Sequence, residues 1–319
     1  MTFHIKAEQN GKTVLSFLKS RLKISATALA GLKRDPIGIL VNGNHVTVRY
    51  ILKENDLLFI NEQDAMEDSN TAITPVEIPL DIILENDSVL VVNKPPYMPT
   101  HPSHDHTDDT LANAVAYIYS QKNLPFIFRP MGRLDRNTSG ISLLAKNLLS
   151  ASYLFYARQK NMIHKKYIAI VSGKLESGGD YETIETYIKR QEDSIIVRCV
   201  SEETEEGAQH AVTKWKTLFS SDRLSVVEAI PITGRTHQLR VHFSHIGHPI
   251  LGDDVYGEAS EIIGRHALHA AYLLIPMPYE DEVAEFTATP PKDMQDALYA
   301  ICGVSLTEIF ETKFNAPKG

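Results

Sequence analysis

Apolar residues recur at helical spacing near the start of the chain, at Val14, Leu15, Leu18 and Leu22, and predict a helix with Lys19 and Arg21 on its polar face. Lys23–Leu29 reads as a loop entering a second short helix, with Ser25 as N-cap and Lys33 and Arg34 near its end. From Gly38 to Val46 the pattern becomes strand, Asn42-Gly43 turn, strand, and Leu57–Ile60 adds another strand. The next stretch is polar, acidic and punctuated by Pro75 and Pro79, the composition of a linker. Beyond Asp81, Ser88–Asn93, Ile141–Lys146, Tyr167–Val171 and Leu224–Ile230 read as strands. Leu111–Tyr119 and Arg235–Ile246 read as helices, the second with Leu239, Phe243 and Ile246 on one face. Strands and helices alternate irregularly, so an α+β fold is expected rather than a βαβ repeat. The division is a small domain at 1–62, a linker at 63–79 and a larger domain at 80–319.

A chain of 319 residues suits about two domains, and 43% hydrophobic content suffices for a buried core. No apolar run is long enough to cross a bilayer, and the first residues do not read as a signal peptide. Two cysteines, Cys199 and Cys302, make no disulfide framework, so a reducing, cytoplasmic setting is expected. The net charge of −8 argues at first against a polyanionic partner. Its distribution reverses that: residues 1–60 hold nine Lys/Arg against four Asp/Glu, whereas residues 61–93 hold eight acids and no base. Local patches decide where a polyanion sits.

Three clusters carry candidate chemistry. In Gly132-Arg133-Leu134-Asp135-Arg136-Asn137-Thr138-Ser139-Gly140, one aspartate stands between two arginines. Nearby cations keep a carboxylate ionised, and an ionised, desolvated carboxylate can be a nucleophile. The same pattern also fits a salt-bridged turn residue. In Thr233-Gly234-Arg235-Thr236-His237-Gln238-Leu239-Arg240-Val241-His242, Thr233 or Thr236 could cap a helix. Arg235 near its N-terminus would favour an anionic partner such as phosphate, and Arg240, about a turn on, could reach a buried carboxylate. An amphipathic helix with a basic face is the plainer reading. In His164-Lys165-Lys166-Tyr167, strand geometry puts Lys165 and Tyr167 on one face and Lys166 on the other. With Arg158 and Lys160 this makes a basic stretch beside an aromatic ring, a pattern that also suits base stacking. Histidines gather at His101, His104 and His106 and at His242, His245 and His248, but no cysteine or glutamate completes a metal set, so no metal is expected. No Gly-rich phosphate loop signals a nucleotide cofactor.

Taken in order, five segments resemble the RluA-type family of RNA pseudouridine synthases. They are Asn93-Lys94-Pro95 with Met98-Pro99-Thr100-His101-Pro102; Arg133-Leu134-Asp135-Arg136 with Thr138-Ser139-Gly140; Lys165-x-Tyr167-x-Ala169 with Gly173; Gly234 to His242 with Gly247-His248-Pro249-Ile250 and Gly252-Asp253; and Arg265 with Leu268-His269-Ala270. The likeness covers about residues 81–280, and the first block resembles the small alpha-L RNA-binding module. Gly132 and Asn137 stand where the family usually has His and Asp. The resemblance implies a catalytic domain built on a mixed, mainly antiparallel sheet with flanking helices. It implies Asp135 as nucleophile, Arg240 as its partner, and Tyr167 packing on the base and aiding loss of the C5 proton. Leu239 would lie beneath the ring, and Arg133 would fill the stack vacated by a flipped uridine. Arg235, Lys165 and Arg136 would contact RNA. The expected partner is structured RNA, ribosomal by preference and transfer RNA as the alternative, with a monomeric enzyme and no cofactor. A non-catalytic RNA-binding protein and an Asp135 or metal hydrolase are the rival readings.

Overall fold

The computed structural model describes residues 1–62 and 70–315. Strand β1 (Thr2–His4), helices α1 (Val14–Arg21) and α2 (Ala26–Arg34), and strands β2 (Ile39–Val41), β3 (Asn44–His45) and β4 (Leu57–Ile60) form the first unit. Thr13 and Ser25 cap the two helices, each side chain accepting an amide hydrogen bond three residues on. Asn42 (φ 51°) and Gly43 (φ 81°) supply the two left-handed residues that a two-residue hairpin turn requires between β2 and β3. The sheet order is β1-β4-β2-β3. Val14, Leu18 and Leu22, whose spacing marked the helix, are fully buried against Leu52, Leu58 and Ile60.

The expected linker is only partly one. Residues 63–69 lie outside the described residues. Residues 70–79 have no helix or strand, yet they are strapped down: the Asn113 Nδ2 amide donates to Thr74 O at 2.8 Å, and Asn70 N donates to Phe126 O. Ile73 and Ile78 pack on the core beneath them. Apolar residues spaced among prolines and acids gave no periodic signal, so the packing was not legible.

The second unit runs β5 (Asp81–Glu85), β6 (Val89–Lys94), α3 (Leu111–Gln121), β7 (Ser139–Ala145), α4 (Leu148–Gln159), β8 (His164–Ser172), β9 (Glu182–Arg190), β10 (Arg198–Ser201), β11 (Gln209–Ser220) and β12 (Leu224–Pro231). It ends with α5 (Gln238–His245), β13 (Leu268–Pro276), β14 (Val283–Thr287), α6 (Lys292–Cys302) and α7 (Leu306–Ile309). Among the described residues ten strands make one sheet, ordered β10-β9-β11-β12-β8-β13-β7-β6-β5, with β14 on β13. Its pairings are antiparallel except β13 with β7. At that seam Gly140 meets Ala270: a Cβ there would lie 2.3 Å from the Ala270 carbonyl oxygen, so only glycine lets the strands approach.

Two features fix the surroundings of the seam. Leu239 and Phe243 of α5 join the core of β8, β12 and β13, and Phe243 is fully buried. Burial of such a side chain contributes about 1.5–3 kcal/mol and holds α5 against the sheet. The first turn of α4 reaches the other unit: Leu149 is part of the first core, and the Ser152 hydroxyl donates to the Ser25 hydroxyl at 2.9 Å. Arg21 meets Asp281 at 2.9 Å across the same boundary.

Helix α5 begins at Gln238, three residues later than its periodicity suggested. Thr233 and Thr236 do not cap it. The Thr233 hydroxyl accepts Val212 N–H and donates to Gln238 Oε1, which also accepts Arg235 N–H, so Gly234–His237 is held as a loop. His237 stands at the N-cap position in left-handed conformation, φ 56° and ψ 18°.

Candidate active site

The loop from Arg133 to Thr138 enters β7 at the seam, and buried side chains hold its backbone at three of its carbonyls. Thr100 Oγ1 donates to Leu134 O (3.0 Å), Lys94 Nζ to Arg136 O (3.2 Å) and Arg265 Nη1 to Asn137 O (2.9 Å). Lys94 is wholly buried and also donates to Pro95 O and Met98 O, both at 2.9 Å. Burial, reinforced by the charge of Arg265, pulls its pKa down to about 7, against the opposing pull of Asp135. Arg265 is fixed in turn by Asp293 at 2.6 and 3.0 Å. Asp135 thus projects from a loop whose conformation is over-determined from below.

Arg240, buried on α5, approaches Asp135 with Nη1 at 3.7 Å from Oδ2. Its Nε and Nη2 each lie 2.7 Å from an oxygen of the fully buried Asp253. Burial opposes ionisation of Asp253, but the Arg240 guanidinium outweighs it and holds the carboxyl below its ordinary range. His237 Nε2 lies 3.9 Å from the same Asp135 Oδ2, and the Tyr256 ring sits 4.9 Å from the Arg240 guanidinium. The carboxylate that sequence reading placed within reach of Arg240 is therefore Asp253 as well as Asp135.

Asp135 opens into a cavity of about 480 Å³, within the usual range for small-ligand sites. Tyr167 and Leu239, both buried, wall it, and Arg133, Arg158, Lys165 and Arg235 line it with positive charge. The Tyr167 hydroxyl is pushed well above its ordinary pKa by burial and then by Asp135. Lys165 is pulled down to about 8 by burial and by the charge of Arg158. Lys165 and Tyr167 share the cavity face while Lys166 pairs with Glu228 on the opposite side, as strand alternation required. Gly132 leaves room for the Lys165 ammonium, which lies 3.0 Å from where a Cβ at 132 would sit.

Seven of the eight residues singled out in the sequence line this one cavity: Asp135, Tyr167, Arg240, Arg133, Leu239, Arg235 and Lys165. Arg136 does not. Its side chain turns to the surface and hydrogen-bonds Asn137 Oδ1 (3.3 Å) and His106 Nε2 (3.0 Å), because the buried Lys94 holds its carbonyl inward. Sequence reasoning gave no role to His237, Asp253 or Tyr256; only their nearness to the Arg240 segment could have marked them. Among the described residues no group of three His, Cys, Asp or Glu side chains is placed to hold a metal ion, and no helix is long and apolar enough to cross a membrane.

The profile of the RNA pseudouridylate synthase family matches residues 88–245. The chain is 38% identical over 273 residues to "Uncharacterized RNA pseudouridine synthase YjbO" of Bacillus subtilis, covering 86% of this chain and 94% of that protein. It is 34% identical to "Ribosomal large subunit pseudouridine synthase D" of Zymomonas mobilis, covering 69% of this chain and 72% of that one. Among solved structures, Human RNA Pseudouridylate Synthase Domain Containing 1 aligns with a TM-score of 0.53 and 31% identity, over 66% of this chain and 83% of that one. With the Asp135 loop, the Tyr167 strand and the Arg240 helix converging on one cavity, and a relative 38% identical matched over 94% of its length, the chain belongs to the RluA-type family of RNA pseudouridine synthases.

Proposed function

We propose that this synthase acts on uridines of structured ribosomal RNA, with Asp135 as nucleophile. The observation that supports the chemistry best is the Asp135 carboxylate facing Arg240 at the mouth of a cavity walled by Tyr167 and Leu239. A uridine flipped out of its stack, at a cost of roughly a few kcal/mol, places its base between those walls. Arg133, exposed at the rim, fills the gap left in the RNA. Asp135 attacks the base or the ribose, the N-glycosidic bond breaks, the uracil turns and rejoins the ribose through C5, and the bond to Asp135 is cleaved to free the carboxylate. The C5 proton is lost and N1 ends protonated, so nothing is consumed and no metal or organic cofactor is needed. Tyr167 packs on the base from the cavity wall and aids loss of the C5 proton. Lys165, Arg158 and Arg235 face the flanking phosphates.

Two relatives named ribosomal large subunit pseudouridine synthase D support the ribosomal reading over transfer RNA. We further propose that residues 1–62 form an alpha-L-type RNA-binding domain, on the strength of their basic balance and their own sheet and core. The enzyme is placed in the cytoplasm as a monomer. Pseudouridine mapping of total RNA from cells with and without the protein tests the assignment, complemented by Asp135→Ala. The expected result is loss of specific ribosomal sites with RNA binding retained. Sites confined to transfer RNA would remove the ribosomal assignment, and activity surviving in Asp135→Ala would remove the nucleophile.

A further inference from the structure

The geometry points to His237 as a second positioning residue for the nucleophile, a neutral donor to Asp135 Oδ2 whose tautomer is set by Tyr256. The inference rests on Asp135 being the nucleophile.

A hydrogen-bond chain fixes the proton. The Arg198 backbone N–H donates to Tyr256 Oη at 2.9 Å, so that oxygen is already an acceptor. Its own proton has His237 Nδ1 in reach at 2.8 Å. An Nδ1 that accepts leaves the imidazole proton on Nε2, and Nε2 is the atom turned toward Asp135 Oδ2 at 3.9 Å. Burial, joined by the charges of Arg240 and Arg198, keeps the ring below the ordinary histidine pKa despite Asp135 and Asp253. The backbone supports the same aim: His237 is held in the left-handed region, which few non-glycine residues occupy without a reason. Its ring also meets Tyr256 edge-on, with centroids 5.7 Å apart.

The chemical consequence concerns which oxygen reacts. Arg240 Nη1 and His237 Nε2 both make their nearest approach to Oδ2, which leaves Oδ1, the farther oxygen, as the one to attack. One cation and one neutral donor orient the carboxylate. A second full positive charge would stabilise its ground state and blunt it as a nucleophile. At 3.9 Å the His237 contact is longer than a formed hydrogen bond, as catalytic contacts often are before substrate closes the site.

The test uses the full chain with His237→Gln, His237→Asn and Tyr256→Phe, reading the single-turnover rate at saturating RNA and the RNA dissociation constant separately. Glutamine can place an amide N–H near the reach of Nε2, whereas asparagine reaches only the Nδ1 side. His237→Asn is expected to slow the single-turnover rate about 100-fold, the low end of the scale of losing one preorganised donor, with RNA affinity unchanged. His237→Gln is expected to recover most of that loss, and Tyr256→Phe to slow the step by about 10-fold, since it frees the tautomer but leaves the ring. An Asn variant as fast as wild type, a Gln variant as slow as Asn, or rate losses that track lost RNA binding would each overturn the inference. Asp135→Ala in the same assay separates the two levels: if it stays active, the nucleophile assignment falls, and the inference with it.

Discussion

Arg240 lies closer to Asp253 than to Asp135, at 2.7 Å through two nitrogens against 3.7 Å through the third. A fork gripped on two tines cannot turn, so Asp253 decides where the remaining nitrogen points. In Asp253→Ala the buried guanidinium loses its nearest counter-charge and is expected to draw onto Asp135. Stability should fall by about 3–5 kcal/mol in chemical denaturation, the cost of breaking a buried pair, and single-turnover pseudouridine formation should slow as well. Arg240→Lys keeps the charge without the fork and should not restore the rate. A variant at 253 with native stability and rate would dissociate Asp253 from the site.

Lys165 is expected to make RNA binding depend on alkaline pH. Burial and Arg158 bring its pKa to about 8, so it is largely charged at pH 7 and largely neutral at pH 9 in the free protein. Affinity for a substrate RNA, measured by filter binding at constant salt, should therefore drop several-fold across that interval. In Lys165→Gln the drop should be much smaller; an equal drop would place the titrating group elsewhere.

Buried histidines predict an acid weakness. His242 and His269 are lowered to about 4 and His266 to about 3, each chiefly by burial, against an ordinary value of 6.5. The folded state keeps them neutral between hydrogen-bond partners, as His269 is between Ser139 Oγ and Ala288 O. The unfolded chain protonates first as pH falls, so stability is full above about pH 6.5 and declines toward pH 4. By pH 5 each histidine should contribute about 2 kcal/mol of that loss. Equal denaturation midpoints at pH 7 and pH 5 would contradict it.

The first unit is expected to add charge-dependent affinity. Lys19, Lys33 and Arg34 are exposed on α1 and α2. Replacing all three by Gln should flatten the slope of log affinity against log salt by about 2–3 and leave the saturated single-turnover rate intact. An unchanged slope would mean that this surface does not meet phosphate.

How far the sequence revealed all this differs from residue to residue. Val14, Leu18 and Leu22 and the alternation of Lys165, Lys166 and Tyr167 were legible because regular periods convert directly into faces. Asp135 and its partner Arg240 were legible as candidates, but the residues that hold them, Asp253 and His237, were not. Asp253 meets Arg240 only because the chain turns back after α5, where Ile250 bridges Val171 of β8, and spacing alone carries no such information. The start of α5 was misread because Arg235 and Thr236 continue a helical pattern that Gln238 interrupts by capturing Thr233 and the Arg235 amide. Which of the two flanking arginines lines the cavity was not legible for a related reason: it is settled by Lys94 and Thr100, some thirty to forty residues upstream.

Helix α4 begins among the buried leucines of the first unit and carries Arg158 at its far end, on the wall of the cavity. Its 12 residues span about 18 Å. The helix therefore works as a ruler. An RNA that touches both ends must present its phosphates and its displaced uridine at a separation the protein has already set, so three-dimensional spacing can select a target that no base-reading side chain specifies.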